Sequence, residues 1–422
     1  MSGPVPVSIT ARPAHPLPSP GRRRRHRPVI AIILVYLAAA LTVTAVPGLV
    51  AMPRWLALHL LFLGAASNAV VAYSAHFAET LLHVRPARRA WAYSQLVGLN
   101  VGVLGVLIGV DAGWAPVLIA GAVLVATAVL AGGSRLVRLA RRSTAGTLRA
   151  AVWFYVAAAG FLAAGATSGA LLGSGRLSGE YLVSFHAHVN LFGWIGLTVL
   201  GTLFMLWPAV LRTRMAPNAP LVARQVLLAC ASGLTLAAAA LLGAHPALAA
   251  IGMSCYTLGV LLSLDPLLRA ARQRRPHDVA SWSLAAATAW LLVALLWDIA
   301  ALATAGRDIG PIADWLAPLL AIGLIAQVLV GALSFLLPVL LGGGPAGAKQ
   351  MAATLNRGWV ARVGITNLGI LLSVAPLPGI LNTVGYTAAL TGLASFLPLA
   401  LLGIATATRA TRATRHPTGT TP

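Results

Sequence analysis

Long apolar runs, separated by short polar segments, recur along the whole chain. A run of about 20 apolar residues is long enough to cross a bilayer as a helix. The runs lack the two-residue alternation of a barrel strand, so helices satisfy their backbone groups in lipid. The pattern predicts an all-α integral membrane protein of about twelve transmembrane helices, at residues 29–50, 54–84, 91–110, 114–133, 150–173, 181–209, 220–243, 246–268, 280–304, 313–342, 358–377 and 380–408.

Composition supports a lipid-solvated protein. Hydrophobic residues make up 59% of the 422 residues, and charged residues only 9%. A water-soluble domain normally carries about a quarter charged residues. The sequence therefore predicts three parts: a disordered basic arm at 1–27, a polytopic transmembrane domain at 28–408 and a disordered tail at 409–422.

The basic residues indicate how the chain is oriented. The formal net charge is +22, and of the 30 Lys and Arg only Arg54, Arg176 and Arg307 fall on one side of the predicted threading. Cytoplasmic loops carry such an excess of basic residues. We therefore expect a multi-pass protein of the cytoplasmic (inner) cell membrane, with both termini in the cytoplasm. The excess of basic residues is then explained by orientation in the bilayer, and we expect no nucleic-acid partner.

Histidines within the spans are the first candidates for chemistry, because ionisable groups in hydrocarbon are costly and usually functional. His59 in span two lies at the same predicted depth, near the outer surface, as His186 and His188 in span six. His76 lies 17 residues beyond His59, roughly 25 Å deeper. It shares a helix face with Glu79 near the cytoplasmic end, which favours an interfacial pair and leaves the two as secondary candidates.

The spacing of His186 and His188 bears on what they can bind. Residues i and i+2 of a regular helix point about 200° apart, so one is expected to face the bundle interior and the other a neighbouring helix. Alternatively, both bond only backbone or water at the helix entrance. Further polar residues are candidate partners of the ring nitrogens (Asn68, Asn190 and Ser184) or secondary candidates (Gln327 and Asp298, the latter expected near water).

A faint internal repeat links spans two, six and ten. His59 precedes Gly64 by five residues, and His188 precedes Gly193 by the same interval. Segments 201–208 and 331–338 both begin with glycine and end with proline. The four-helix spacing suggests three related four-helix units, although small residues also serve helix packing alone.

These features resemble the heme-copper oxidase subunit I superfamily, above all its divergent NnrS-like and actinobacterial "copper oxidase" membrane-domain relatives. Segment 186–208 carries the most specific similarity, with weaker support at 59–77 and 327–344. The resemblance implies three four-helix arcs as in cytochrome oxidase subunit I, with His59 at the position of the span-two heme ligand. His186 or His188 is at the position of the span-six copper ligand.

The chain also departs from that family pattern. Span seven has no histidine, span ten offers only Gln327, and the modified tyrosine pattern is missing from span six. The resemblance therefore implies a scaffold that binds heme b or copper near the outer leaflet, for electron transfer, nitric-oxide response or metal handling, and not an active oxidase by itself. Heme needs one or two imidazoles, and copper also accepts imidazole.

Two other function classes stay open from the sequence. The histidines would line a substrate path in a transporter or permease. The chain would otherwise be a membrane anchor for an extracytoplasmic copper or electron-transfer protein. Cys230 and Cys255 form no metal-binding spacing.

Overall fold

The computed structural model describes residues 20–82, 84, 87–142, 149–306 and 308–413, with the backbone alone at 20–25, 81, 149 and 409–413. Within them the chain is all-α, without strands. The helices are α1 Pro20–Ala45, α2 Pro53–Thr80, α3 Arg89–Asp111, α4 Ala115–Arg142, α5 Arg149–Gly173, α6 Glu180–Leu211, α7 Ala219–Leu242, α8 Pro246–Gln273, α9 Val279–Thr304, α10 Gly310–Leu341, α11 Pro345–Leu355, α12 Trp359–Val374, α13 Gly379–Ala394 and α14 Phe396–Ala413.

The predicted membrane class is confirmed. Among the described residues, eleven helices are long and apolar enough to cross a membrane, with α13 and α14 together forming one of them. The predicted span 358–377 is the shorter α12, of 16 residues, because it ends shortly before Pro376 and Pro378, which cannot continue a helix. The protein is therefore a multi-pass α-helical membrane protein.

Three boundaries differ from the sequence-based expectation. Helix α1 already begins at Pro20, so residues 20–27 of the predicted disordered arm are helical, while residues 1–19 lie outside the described part. The segment after span ten, expected to be a loop, contains α11. Helix α14 runs to Ala413, past the predicted end at 408, and residues 414–422 are likewise outside the described part.

Helices α6 and α10 form the centre of the bundle. In their most apolar stretches 78% and 72% of residues are buried, against 28–50% in the other spanning helices. Their first turns lie beside the first turn of α2, because Arg54 forms an ion pair with Asp314 and the Glu180 carboxylate lies against Gly310. We call this the histidine end of the bundle. The opposite end, where α4 and α8 finish in arginines, is the basic end.

Each of α2, α6 and α10 contains a π-helical segment, at Leu60–Ala66, Val189–Gly196 and Ala321–Ile325. The first two segments begin directly after His59 and His188. A π segment widens the helix by one residue per turn and is often found at functional sites. Its recurrence in every fourth spanning helix agrees with the repeat predicted from the glycine spacing.

Side chains satisfy carbonyl groups in all three π segments. The Ser67 hydroxyl donates to the Phe62 carbonyl over 3.0 Å, Tyr256 donates to Phe192 over 2.9 Å, and Gln327 donates to Gly323 over 3.0 Å. Irregular backbone is tolerated at membrane depth only where such groups find partners within the protein. Ser67, Tyr256 and Gln327 therefore stabilise the π segments.

Candidate cofactor site

His59 and His186 face each other near the histidine end. Their ring centroids are 6.4 Å apart, and their planes are inclined by 23°. His59 is the last α-helical residue of α2 before its π segment, and His186 lies in the first turns of α6. The two side chains were predicted to lie at the same depth, and in the structure they are neighbours.

Backbone carbonyls occupy one nitrogen of each ring. His59 Nδ1 lies 2.8 Å from the Trp55 carbonyl oxygen, and His186 Nδ1 lies 3.0 Å from the Gly165 carbonyl oxygen. A carbonyl only accepts, so both rings donate from Nδ1. Neither Nε2 has a hydrogen-bond partner among the described residues. Both rings therefore keep the Nε2 lone pair free for a ligand, which is how metal-binding histidines are usually oriented.

Other side chains hold the two rings in place. The indole of Trp55 stacks on His59 with centroids 4.3 Å apart. Asn190 donates to the main-chain carbonyl of His186 over 2.7 Å, and its amide nitrogen lies 3.4 Å from Nδ1. The Ser168 hydroxyl is 3.3 Å from the same nitrogen. Asn190 thus matches its predicted place beside a histidine.

Two glycines of α5 make room for this arrangement. A methyl group on Gly169 would lie 2.8 Å from Cε1 of His186, and one on Gly165 would overlap the Asn190 amide. Glycines at i and i+4 present one smooth helix face, against which another helix packs closely. The imidazole of His186 fills the space beside that face.

A cavity of about 690 Å³ lies beside the two rings, bordered by α2, α3, α4, α5, α6 and α10. Its wall is mostly aliphatic and aromatic. The polar contributions come from His59, His186, Asn190, Ser67, Arg54 and Asp314. A large apolar cavity with a few convergent polar groups is the usual form of a small-molecule or cofactor site.

His188 points elsewhere. Its Nε2 lies 3.1 Å from Oδ2 of Asp298 on α9, and both side chains are 0% exposed. Its Nδ1 lies 2.7 Å from the Ser184 carbonyl oxygen, which accepts. The expectation that Asp298 faces water is wrong, because α6 and α9 enclose it. His186 and His188 therefore point in different directions and do not bind one ion together. The i and i+2 spacing predicted this difference.

The remaining candidates lie away from the cavity. Glu79 is buried and bonds Arg135 of α4 over 2.7 Å, so it is not a lipid-surface group as the interfacial interpretation expected. The ring of His76 packs edge-on against His26 of α1, with centroids 5.1 Å apart. Glu79 and His76 lie in the half of α2 nearer the basic end, well separated from His59.

The two mid-span amides pair with other amides. Asn68 and Asn100 exchange hydrogen bonds of 3.1 and 2.8 Å between α2 and α3. Gln327 and Asn367 exchange two of 3.2 Å between α10 and α12. Asn68 was expected beside a histidine nitrogen, and its bonds to the Gly64 carbonyl and to Asn100 correct that expectation. Ser184 supplies its main-chain carbonyl to His188, whereas its hydroxyl has no partner in the described part of the chain.

The donor set for a metal is therefore two imidazoles. Within the described ranges, no group of three or more His, Cys, Asp and Glu side chains lies close enough to hold a metal ion. The Trp55 stack, the Asp298 pairing and the face formed by Gly165 and Gly169 were not predicted from the sequence. The glycine spacing is readable in the sequence, but the pairing of α6 with α9 is not.

Comparison with known proteins adds no relative to this picture. No protein-family model matches the chain, and a search of curated proteins finds no match either.

Proposed function

We propose that this protein holds a heme b in the cavity beside His59 and His186 and transfers electrons at the membrane. The observation that supports the proposal is a pair of facing imidazoles, each with Nδ1–H donated to a carbonyl and Nε2 free. A bound heme supplies one-electron redox chemistry. His59 and His186 would both hold the heme, and a heme held by two imidazoles would serve electron transfer rather than the binding of dioxygen or nitric oxide.

The donor set fits heme better than a bare copper ion. Heme brings four nitrogen ligands of its own and needs only one or two from the protein. Copper sites commonly use three protein ligands, and here His188 is committed to Asp298. A cavity of about 690 Å³ is also far larger than an ion requires. The ring centroids of His59 and His186 are 6.4 Å apart, which is close enough for both residues to contribute to holding one group.

The chain's own residues would orient the ligands and exclude water. The Trp55 and Gly165 carbonyls accept the Nδ1 protons, so Nε2 of each ring would be the nitrogen that holds the heme. Hydrogen bonds of this kind also raise the basicity of the ligating nitrogen. Side chains such as Leu162 and Trp194 line the cavity and lower the local dielectric, which tunes a reduction potential.

The orientation proposed from the basic residues places the histidine end toward the outside of the inner cell membrane, with both termini cytoplasmic. An electron-transfer partner would then dock from the extracytoplasmic side. Arg54 and Asp314 are exposed at that surface and would be available to such a partner.

The test is an absorption spectrum of protein produced in heme-replete cells, with metal analysis of the same sample. We expect a Soret band and one heme per chain. His59→Ala and His186→Ala should each convert the spectrum from six-coordinate to five-coordinate, and the double variant should lose the band. His76→Ala is the matched control on the same helix and should leave the spectrum unchanged.

Three outcomes would overturn this proposal. Colourless, metal-free protein would reject heme binding and leave the transporter and the anchor module as the candidate functions. Copper without heme would replace the cofactor. A Soret band that survives in the double variant would move the heme to another site.

A further inference from the structure

A second cavity, of about 430 Å³, lies on the other side of α2, between α1, α10, α13 and α14. It shares Pro53, Arg54 and Leu58 with the first cavity. Its wall is almost wholly aliphatic, and its polar lining groups are Arg54, Thr44 and Tyr386. The Thr44 hydroxyl already donates to the Ala40 carbonyl, which leaves the arginine and the tyrosine as the groups available to a ligand.

This cavity lies at the lipid-facing side of the bundle. Helix α13 packs chiefly on α12, and α13 and α1 both line the cavity, with a seam between them. Lining residues on both sides of that seam, among them Leu37, Leu41 and Leu390, are only half-buried. A molecule dissolved in the membrane therefore has a lateral route into the cavity, which a soluble ligand lacks.

The positive charge of Arg54 at this cavity favours a membrane molecule with an anionic headgroup. Arg54 has 55% of its side chain exposed, and its ion pair with Asp314, itself 75% exposed, spans 3.3 Å. The guanidinium also donates to the main-chain carbonyl of Asp314. Exposed pairs of this kind contribute little to stability, so a phosphate can displace the Asp314 carboxylate at small cost. A guanidinium also offers two parallel donors that match phosphate oxygens. Tyr386 is exposed, and its hydroxyl has no hydrogen-bond partner among the described residues.

We propose that this cavity is a binding site for an anionic phospholipid, with the headgroup phosphate on Arg54 and Tyr386 and one acyl chain in the aliphatic cavity. The acyl chain is what distinguishes this ligand from free phosphate, because the cavity beyond Arg54 offers only apolar surface. The site depends on the helix packing alone and holds with or without a cofactor beside His59.

The test uses delipidated full-length protein in a neutral detergent, titrated by native mass spectrometry. The probes are phosphatidylglycerol, phosphatidylcholine and glycerol phosphate, the last a headgroup without a chain. Phosphatidylglycerol should bind about fivefold more tightly than phosphatidylcholine, the usual contribution of one basic residue near a membrane surface. Glycerol phosphate should not bind measurably at the same concentrations.

Variants with opposite expected effects sharpen the test. Arg54→Gln should abolish the preference for phosphatidylglycerol, whereas Asp314→Asn should increase it by removing a like charge. Arg176→Gln, at another exposed arginine on the same side of the bundle, should leave the preference unchanged. Ala57→Phe fills the cavity and should weaken both lipids, whereas Ala45→Phe on the exposed side of α1 should weaken neither.

Equal binding of the two lipids to the unaltered protein would overturn the proposal. So would an Arg54→Gln effect no larger than that of Arg176→Gln. Tight binding of glycerol phosphate would show a phosphate site without an acyl-chain cavity, and would equally reject it. Should Ala57→Phe fail to fold, the opposite shifts of Arg54→Gln and Asp314→Asn still decide the outcome.

Discussion

Two histidines in the same turns of α6 lie in contrasting surroundings. His186 donates from Nδ1 to a carbonyl and keeps Nε2 free beside a large cavity. His188 also donates from Nδ1 to a carbonyl, yet its Nε2 bonds a fully buried carboxylate. The His186 bond goes to Gly165 on α5, whereas His188 bonds Ser184 of its own helix, so the difference comes from the helix that each ring faces. A histidine at membrane depth is therefore a ligand candidate only after its neighbours across the helix interface are known.

The buried pair, His188 and Asp298, and the cavity pair, His59 and His186, also have different roles. Asp298 binds α6 to α9 at the level where the π segment begins. Because residues two apart point to opposite sides of a helix, this bond also sets the rotation that turns His186 toward α2. We expect the buried pair to matter mainly for stability and the cavity pair mainly for binding.

Breaking the buried pair should have the largest effect on stability. Asp298→Leu should lower the free energy of unfolding by about 3–5 kcal/mol, because it leaves His188 buried without its partner. The double variant His188→Leu with Asp298→Leu should regain most of that loss, since replacing both partners by apolar residues is often nearly neutral. Unfolding by titration with a denaturing detergent measures both values.

The matched control for that experiment is Asp265→Leu. Asp265 bonds Arg269 on the exposed surface of α8, and exposed pairs typically contribute less than about 1 kcal/mol. A single-variant loss at Asp298 no larger than at Asp265 would contradict the assigned importance of the buried pair. A double variant as unstable as Asp298→Leu would contradict its electrostatic explanation.

Crowding the cavity pair should have an intermediate effect. Gly169→Leu places side-chain atoms where the His186 ring now lies, and overpacking of this kind costs about 1–3 kcal/mol. The displaced ring should also alter any Soret band in the same sample. Gly160→Leu is the control on the same helix, because a Cβ there meets no atom within 4 Å. An equal loss of stability in Gly169→Leu and Gly160→Leu would show that Gly169 has no specific role beside His186.

Removing a neutral pair should have the smallest effect. Asn68→Ala deletes its bonds to Asn100 and Gly64, and hydrogen bonds between membrane helices average about 0.6 kcal/mol. Gln327→Ala removes the comparable pair with Asn367 and should give a similar value. A loss above about 3 kcal/mol at Asn68 would place this amide pair on a level with the buried ion pair.

Several features of the site follow from the sequence alone. The apolar runs predicted the spanning helices, because hydrocarbon thickness imposes their length. The alternating direction of the spans then put His59 and His186 at one depth, and their rings do meet. The i and i+2 spacing similarly separated His186 from His188.

Other features required the tertiary structure. Which way α6 is rotated, and hence which histidine faces the cavity, depends on its packing against α9 and α5. Asp298 looked water-facing from its place near a helix end, and only the neighbouring helices bury it beside His188. Glu79 looked interfacial, and Arg135 of another helix pairs with it.

The sequence by itself therefore determined the membrane class, the approximate spans and the depth of each histidine, since hydrophobic length and residue spacing act along one helix. The tertiary structure decided the partners of each ring, the π segments, the two cavities and the burial of Asp298. The physical reason is that direction around a helix axis, unlike depth along it, is selected by contacts with other helices.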